Sequence, residues 1–83
     1  MKKVILYTLS TCPWCKKTKQ ALTNWGIPYD YIDYDLADEQ TQERIIEEMD
    51  KHNANGFPFV KIGNKIVAGY DPQRFAELLG IKD

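Results

Sequence analysis

Val4-Ile5-Leu6-Tyr7-Thr8-Leu9-Ser10-Thr11-Cys12-Pro13-Trp14-Cys15 is the stretch on which the reading of this chain turns. Its two cysteines are the only ones in 83 residues, and they stand three apart. The apolar run before them reads as a strand, and the segment after them reads as a helix. A strand that passes into a helix through Ser10-Thr11 puts Cys12 at the helix N-terminus. There the unpaired backbone N–H groups and the helix dipole favour an anion, and hence a thiolate over a thiol. Pro13 suits the first helical position, where its missing N–H has no intrahelical partner to lose. Cys15 falls one turn on, within reach of a disulfide with Cys12. This is the pattern of a redox site.

Length and cysteine count support chemistry over scaffolding. Residues 1–83 are enough for a single small domain and too few for a second core. A bridge between positions 12 and 15 restricts the unfolded chain very little, so it would be a weak staple. A secreted, disulfide-stapled domain carries several such pairs. The N-terminus offers two lysines and then six mostly apolar residues, too few for a signal-peptide core, and nothing approaches membrane-spanning length. The expectation is a cytoplasmic protein without a membrane partner.

Charge is near balance but unevenly spread. The net charge is −1, which lacks the basic excess of a nucleic-acid binder. Residues 1–29 hold five lysines and no acid, while residues 30–50 hold nine acids and one base, Arg44. The acidic block reads as a solvated helix face. Lysines beside Cys12, Lys16 above all, sit where positive charge favours a thiolate; ordinary helix solvation accounts for them equally.

Taken in order, residues 3–9 form a buried strand and residues 13–25 a first helix. That helix turns Thr18, Ala21, Leu22 and Trp25 to one face and stops at Gly26, with Pro28 beyond. Residues 29–34 alternate as a strand with one wetter face. A second helix spans residues 38–51, capped by Asp35 or Asp38. Its stripe is Ile45, Ile46 and Met49, with Leu36 packing at its start. Residues 52–56 are a polar loop. Residues 57–62 and 65–68 are strands joined at Gly63-Asn64. Asp71, Pro72 and Gly80 punctuate a last helix that turns Phe75, Leu78 and Leu79 inward. The order is β-α-β-α-β-β-α, an α/β chain with a four-stranded mixed sheet and helices on both faces. The first two strands are parallel through a right-handed crossover, and the last two form a hairpin.

The Cys-Pro-Trp-Cys motif after the first strand, Phe57-Pro58 opening the third and Gly69 after the fourth together resemble the glutaredoxins. The likeness to the thioredoxin-fold superfamily runs over essentially the whole chain. It implies that Pro58 is cis and lies beside the cysteines, where it exposes the backbone of Phe57 to pair with a substrate segment. It also implies a dithiol–disulfide oxidoreductase in which Cys12 is the nucleophile and Cys15, deeper and more buried, resolves the mixed disulfide. Trp14 replaces the family's usual tyrosine and is expected half exposed as a contact surface. Thr11, Lys16, Phe57, Pro58, Gly69, Tyr70 and Asp71 complete the expected substrate site.

The chain departs from the glutathione-dependent members at three places. Leu9 stands where they carry a lysine for a glutathione carboxylate. Gly56-Phe57-Pro58 replaces Thr-Val-Pro. Ala68-Gly69-Tyr70-Asp71-Pro72 keeps only the second glycine and first acid of Gly-Gly-x-Asp-Asp, and Asp71 has a helix-capping role that explains it. Leu9, Trp14, Phe57 and Tyr70 then surround Cys12 with apolar surface, which suits a protein partner. In this the chain is similar to NrdH-type redoxins that serve ribonucleotide reductase and take electrons from thioredoxin reductase or a ferredoxin-linked reductase. Protein disulfides are the expected substrates of a monomer with no bound cofactor, and glutathione is the alternative reductant. Two other readings compete. One is a fully glutathione-dependent glutaredoxin. The other is a [2Fe–2S] carrier, for which two thiolates are too few ligands and Pro13 stands where cluster binders have a small residue. His52, in the polar loop, does not complete a metal site. A binding module that merely borrows the fold leaves the cysteine pair unexplained.

Overall fold

The computed structural model describes residues 2–81. Strand β1 is Val4–Thr8, helix α1 Pro13–Asn24, β2 Asp30–Asp33, α2 Glu39–Lys51, β3 Phe59–Ile62, β4 Lys65–Ala68 and α3 Pro72–Leu79. The strands lie in the order β2-β1-β3-β4, with β1 parallel to β2 and antiparallel to β3, and β3 antiparallel to β4. The apolar run therefore becomes a central strand, and the mixed four-stranded sheet expected from the sequence is present.

Alternation along the strands sorts the core into two layers. Val4 and Leu6 of β1, Val60 and Ile62 of β3 and Val67 of β4 face Leu22 of α1 and Phe75 of α3. Tyr7 and Phe59 face the other way and pack with Ile45 and Met49 of α2 and with Ala54. Their rings lie nearly parallel with centroids 5.5 Å apart, a cross-strand pair set by the Tyr7–Phe59 register. Helices thus cover both faces. Among the described residues, no helix is long and apolar enough to cross a membrane.

The punctuation acts where the sequence places it. Asp38 caps α2 through Thr41 N–H at 2.8 Å, so α2 begins one residue after the expected 38, at Glu39. Asp71 caps α3 through Arg74 N–H at 3.1 Å. Gly26 takes a φ of 71° just past α1, and Gly63 one of 61° at the hairpin, positions where a side chain is strained.

Five details differ from expectation. Tyr34 leaves the strand, and Tyr34–Leu36 form a 3₁₀ turn instead. Leu36 does not pack at the start of α2 but is 72 % exposed, and Ile46 is 41 % exposed outside the stripe. Periodicity marks which residues share a helix face, not what lies opposite them. The polar loop buries Ala54 against the α2-side core. The third strand begins at Phe59 rather than at Phe57, and the Phe57-Pro58 bond that precedes it is cis, as the resemblance implied.

Candidate active site

The redox pair sits at the junction of β1 and α1. Cys12 is extended (φ −81°, ψ 118°) and is the N-cap of α1, with Pro13 the first helical residue. Oxygen-bearing side chains usually cap helices. Here a sulfur does: Cys15 N–H donates to Cys12 Sγ at 3.2 Å. Cys12 N–H in turn donates to the Leu9 carbonyl at 3.1 Å, which closes a tight turn under the thiol. The helix start thus aims a backbone donor at a group that gains from it most when charged.

The two thiols differ in kind. Cys12 is partly exposed, whereas Cys15 is fully buried. Burial pushes the Cys15 thiol up to about 12, and its hydrogen bond with Cys12 pushes in the same direction. Cys15 therefore keeps its proton at neutral pH, and Cys12 is the sulfur that meets solvent.

The aromatic residues expected around Cys12 fall into two pairs, Trp14 with Tyr70 and Phe57 with Tyr34. Trp14 is 52 % exposed. Its ring lies 5.4 Å from that of Tyr70, with Lys17 Nζ 4.5 Å from the ring centroid. Tyr70 also meets Phe75 edge-on, which anchors the pair to the core. Gly69 N–H donates to the Pro58 carbonyl at 2.7 Å, joining the cis-proline loop to the segment that carries Tyr70 and Asp71. Phe57 packs on Tyr34 at 5.5 Å. Thr11 is exposed at the loop tip, and Lys16 is exposed on the first turn of α1. The cation seated on the Cys-Pro-Trp-Cys segment is that of Lys17 rather than Lys16.

Three supporting contacts were not foreseen from the sequence. Thr8, buried at the end of β1, donates through Oγ1 to Asp33 Oδ1 at 2.5 Å, and Lys19 of α1 pairs with the same oxygen at 3.5 Å. Thr8 and Asp33 are register partners in the parallel ladder. A threonine closing an apolar strand is the one signal that pointed there. Secondly, Ser10 donates its N–H (2.9 Å) and its hydroxyl to the Asp35 carboxylate, clamping the cysteine loop to the 3₁₀ turn. These bonds hold the Asp35 carboxyl below the usual range. Thirdly, Tyr34 supplies the wall behind Phe57. Among the described residues, no three His, Cys, Asp or Glu side chains converge as a metal site.

A family model described as Glutaredoxin matches residues 4–67. A glutaredoxin-like 8.6 kDa protein in the rubredoxin operon of Clostridium pasteurianum is 31 % identical over 74 residues, covering 89 % of this chain and 93 % of that protein. The crystal structure of the glutaredoxin from Methanosarcina mazei is 38 % identical with a TM-score of 0.84, covering 95 % of this chain and 79 % of that one. The glutaredoxin-like NrdH-redoxin of Escherichia coli shares the fold, with a TM-score of 0.77 at 24 % identity, over 92 % of this chain and 93 % of that one.

Proposed function

The chain belongs to the glutaredoxin family of thiol–disulfide oxidoreductases, and on that premise we propose that it reduces protein disulfides by a two-cysteine mechanism. Cys12, as thiolate, attacks one sulfur of the substrate disulfide; the S–S bond breaks and the other substrate sulfur leaves as a thiolate that takes up a proton. Cys15 then loses its proton and attacks Cys12 Sγ in the mixed disulfide. The second substrate sulfur leaves, and a Cys12–Cys15 disulfide remains. Substrate gains two electrons, which a donor must return to the pair.

The observation that carries this reading is the asymmetry of the pair: one sulfur exposed and capped by an N–H, the other buried and held as a thiol. Pro13 presets the first turn that separates them. The backbone on either side of Pro58 and the Gly69-Tyr70 segment supply a surface for an extended substrate segment. Trp14, Phe57 and Tyr70 supply apolar contact area. Such a surface favours a protein donor, a flavin- or ferredoxin-linked reductase, over glutathione. It fits a reducing compartment such as the cytoplasm, and ribonucleotide reductase is a substrate of suitable chemistry.

Trapping tests the mechanism. With insulin as the disulfide probe, Cys15→Ser is expected to accumulate a mixed disulfide at Cys12, read by mass spectrometry on non-reduced peptides. Unimpaired multiple turnover by Cys15→Ser, or an adduct that forms at Cys15 in Cys12→Ser instead, overturns it.

A further inference from the structure

Beside the cis-proline loop lies a groove that the redox step itself does not use. Tyr34, Glu39, Gln42, Glu43, Ile46 and Glu47 line it, between the 3₁₀ turn and α2, with a volume of about 370 Å³. Its geometry is fixed: the Gln42 side-chain amide donates to the Tyr34 carbonyl at 2.7 Å, tying turn to helix. Two contacts of the 3₁₀ turn link the groove to the loops around the cysteines. Tyr34 packs on Phe57, the residue before Pro58, and Ser10 binds Asp35 of the same turn from the cysteine loop.

Its lining is apolar at the base and anionic at the rim. Ile46 offers an exposed aliphatic surface, and Leu36 does the same on the turn. Glu39, Glu43 and Glu47 recur every four residues, so their carboxylates share one edge of α2. Like charges at that spacing weaken a helix; Glu39, in the first turn, gains from the helix dipole, but Glu43 and Glu47 lie beyond it. Among the described residues, the ion pairs are Lys19–Asp33, Lys61–Glu48 and Arg74–Glu77, and none neutralises this rim. Asp35 and Asp38 stay ionised beside it through their hydrogen bonds to Ser10 and Thr41.

We propose that this groove seats a basic segment of the substrate protein, carrying apolar residues between its cations, next to the disulfide that Cys12 attacks. The proposal rests on the redox reading above and names the class of substrate it prefers. The Ser10–Asp35 bonds tie the turn at one end of the groove to the loop that carries Cys12, which brings the segment toward the reacting sulfur. Charge complementarity chooses its sign, and the apolar base makes it a peptide rather than a simple cation. An acidic segment meets three carboxylates that form no ion pair among the described residues, and is turned away.

The test compares two peptide disulfides of one apolar sequence, flanked by lysines in one and by glutamates in the other, with hydroxyethyl disulfide as an uncharged probe. The basic peptide is expected to be reduced about tenfold faster than the acidic one at low salt, the gap falling to about threefold or less at high ionic strength. The triple variant Glu39→Gln, Glu43→Gln, Glu47→Gln is expected to close the gap to a similar extent. Equal rates for the two peptides overturn the proposal, as does a gap that neither salt nor the variant moves. The salt series uses the unaltered chain, so a variant that fails to fold does not spare the proposal. Concentration-dependent dimers abolished by the same variant would assign the groove to a second copy and overturn it. If hydroxyethyl disulfide is also left unreduced, the redox reading fails and takes the proposal with it.

Discussion

The N–H of Cys15 points at the sulfur of Cys12 from 3.2 Å, so each cysteine sets the chemistry of the other. Cys15 contributes a donor to the Cys12 sulfur, and its hydrogen bond with Cys12 adds to burial in holding the buried thiol protonated. On the proposed mechanism, removing Cys12 removes the nucleophile. Cys12→Ser is expected to lower turnover of protein disulfides by at least about a thousandfold, since a serine hydroxyl does not ionise at neutral pH. A coupled assay of insulin reduction reads the loss directly.

The same pair predicts a pH dependence of stability. Burial raises the Cys15 thiol from 9.0 to about 12. Below pH 9 the thiol is protonated in both folded and unfolded chains and contributes no difference. Between pH 9 and about 12 the unfolded chain releases this proton while the folded chain keeps it, so stability falls as pH rises. Urea unfolding of the reduced chain, compared with Cys15→Ser across that window, isolates the effect. The expected result is a decline in the unaltered chain that is shallower in the variant. Parallel profiles would show that Cys15 does not titrate late.

Below the cysteines, Thr8 Oγ1 and Lys19 Nζ converge on one oxygen of Asp33. Thr8 is fully buried, and its partner is an ion, so the bond belongs to the stronger class. Thr8→Val keeps the volume and removes the donor. It is expected to cost about 1–3 kcal/mol of unfolding free energy, and denaturant titration with an unchanged m-value would identify the loss as one of stability.

On the opposite face, Tyr7, Glu48 and Lys61 form a second polar cluster. Lys61 Nζ donates to Tyr7 Oη at 2.9 Å and to Glu48 Oε2 at 2.9 Å, and Tyr7 donates to Glu48. Burial pushes the Glu48 carboxyl up, but the bonds from Tyr7 and Lys61 outweigh it and hold the carboxyl below its ordinary value. Its contribution is therefore present above that ordinary value and lost as pH falls through the lowered one. Glu48→Gln is expected to destabilise the chain at neutral pH and to flatten the acid limb of the stability profile. An acid limb unchanged by the substitution would remove Glu48 from the cause.

The order in which these features were legible follows their range along the chain. Caps and turns are local, so Asp38, Asp71, Gly26 and Gly63-Asn64 could be read from neighbours alone. The nearly continuous apolar run from Val4 to Leu9 marked the central strand for the same reason. The cis state of Pro58 came from resemblance, not from physics visible in Phe57-Pro58. Leu36 and Ile46 were misjudged because a hydrophobic stripe records composition, and nothing in it says that the turn leaves them open. Thr8–Asp33 and Ser10–Asp35 join residues 25 apart, and only the parallel register brings them together. The groove on α2 was hidden in plain view: its glutamates read as a solvated face, and their meaning changes only when Tyr34 is found against Phe57.

Glutathione carries two carboxylates and one ammonium, and three features here bear on it. Leu9 offers no cation at its own position, one oxygen of the Asp71 carboxylate already accepts from Arg74 N–H, and the groove on α2 is anionic. Reduction of the Cys12–Cys15 disulfide by glutathione is therefore expected to be no faster, per thiolate, than reduction by uncharged β-mercaptoethanol. A built glutathione pocket would show instead as a rate advantage of about tenfold or more that saturates with glutathione concentration. Asp71 separates the two cases further. Asp71→Asn keeps a good cap, whereas Asp71→Ala loses it at about 1 kcal/mol. If Asp71 only caps, Asp71→Asn leaves the glutathione rate where it was. If it also holds the glutamyl amine, Asp71→Asn slows glutathione while leaving β-mercaptoethanol untouched, and the preference for a protein donor would then have to be given up.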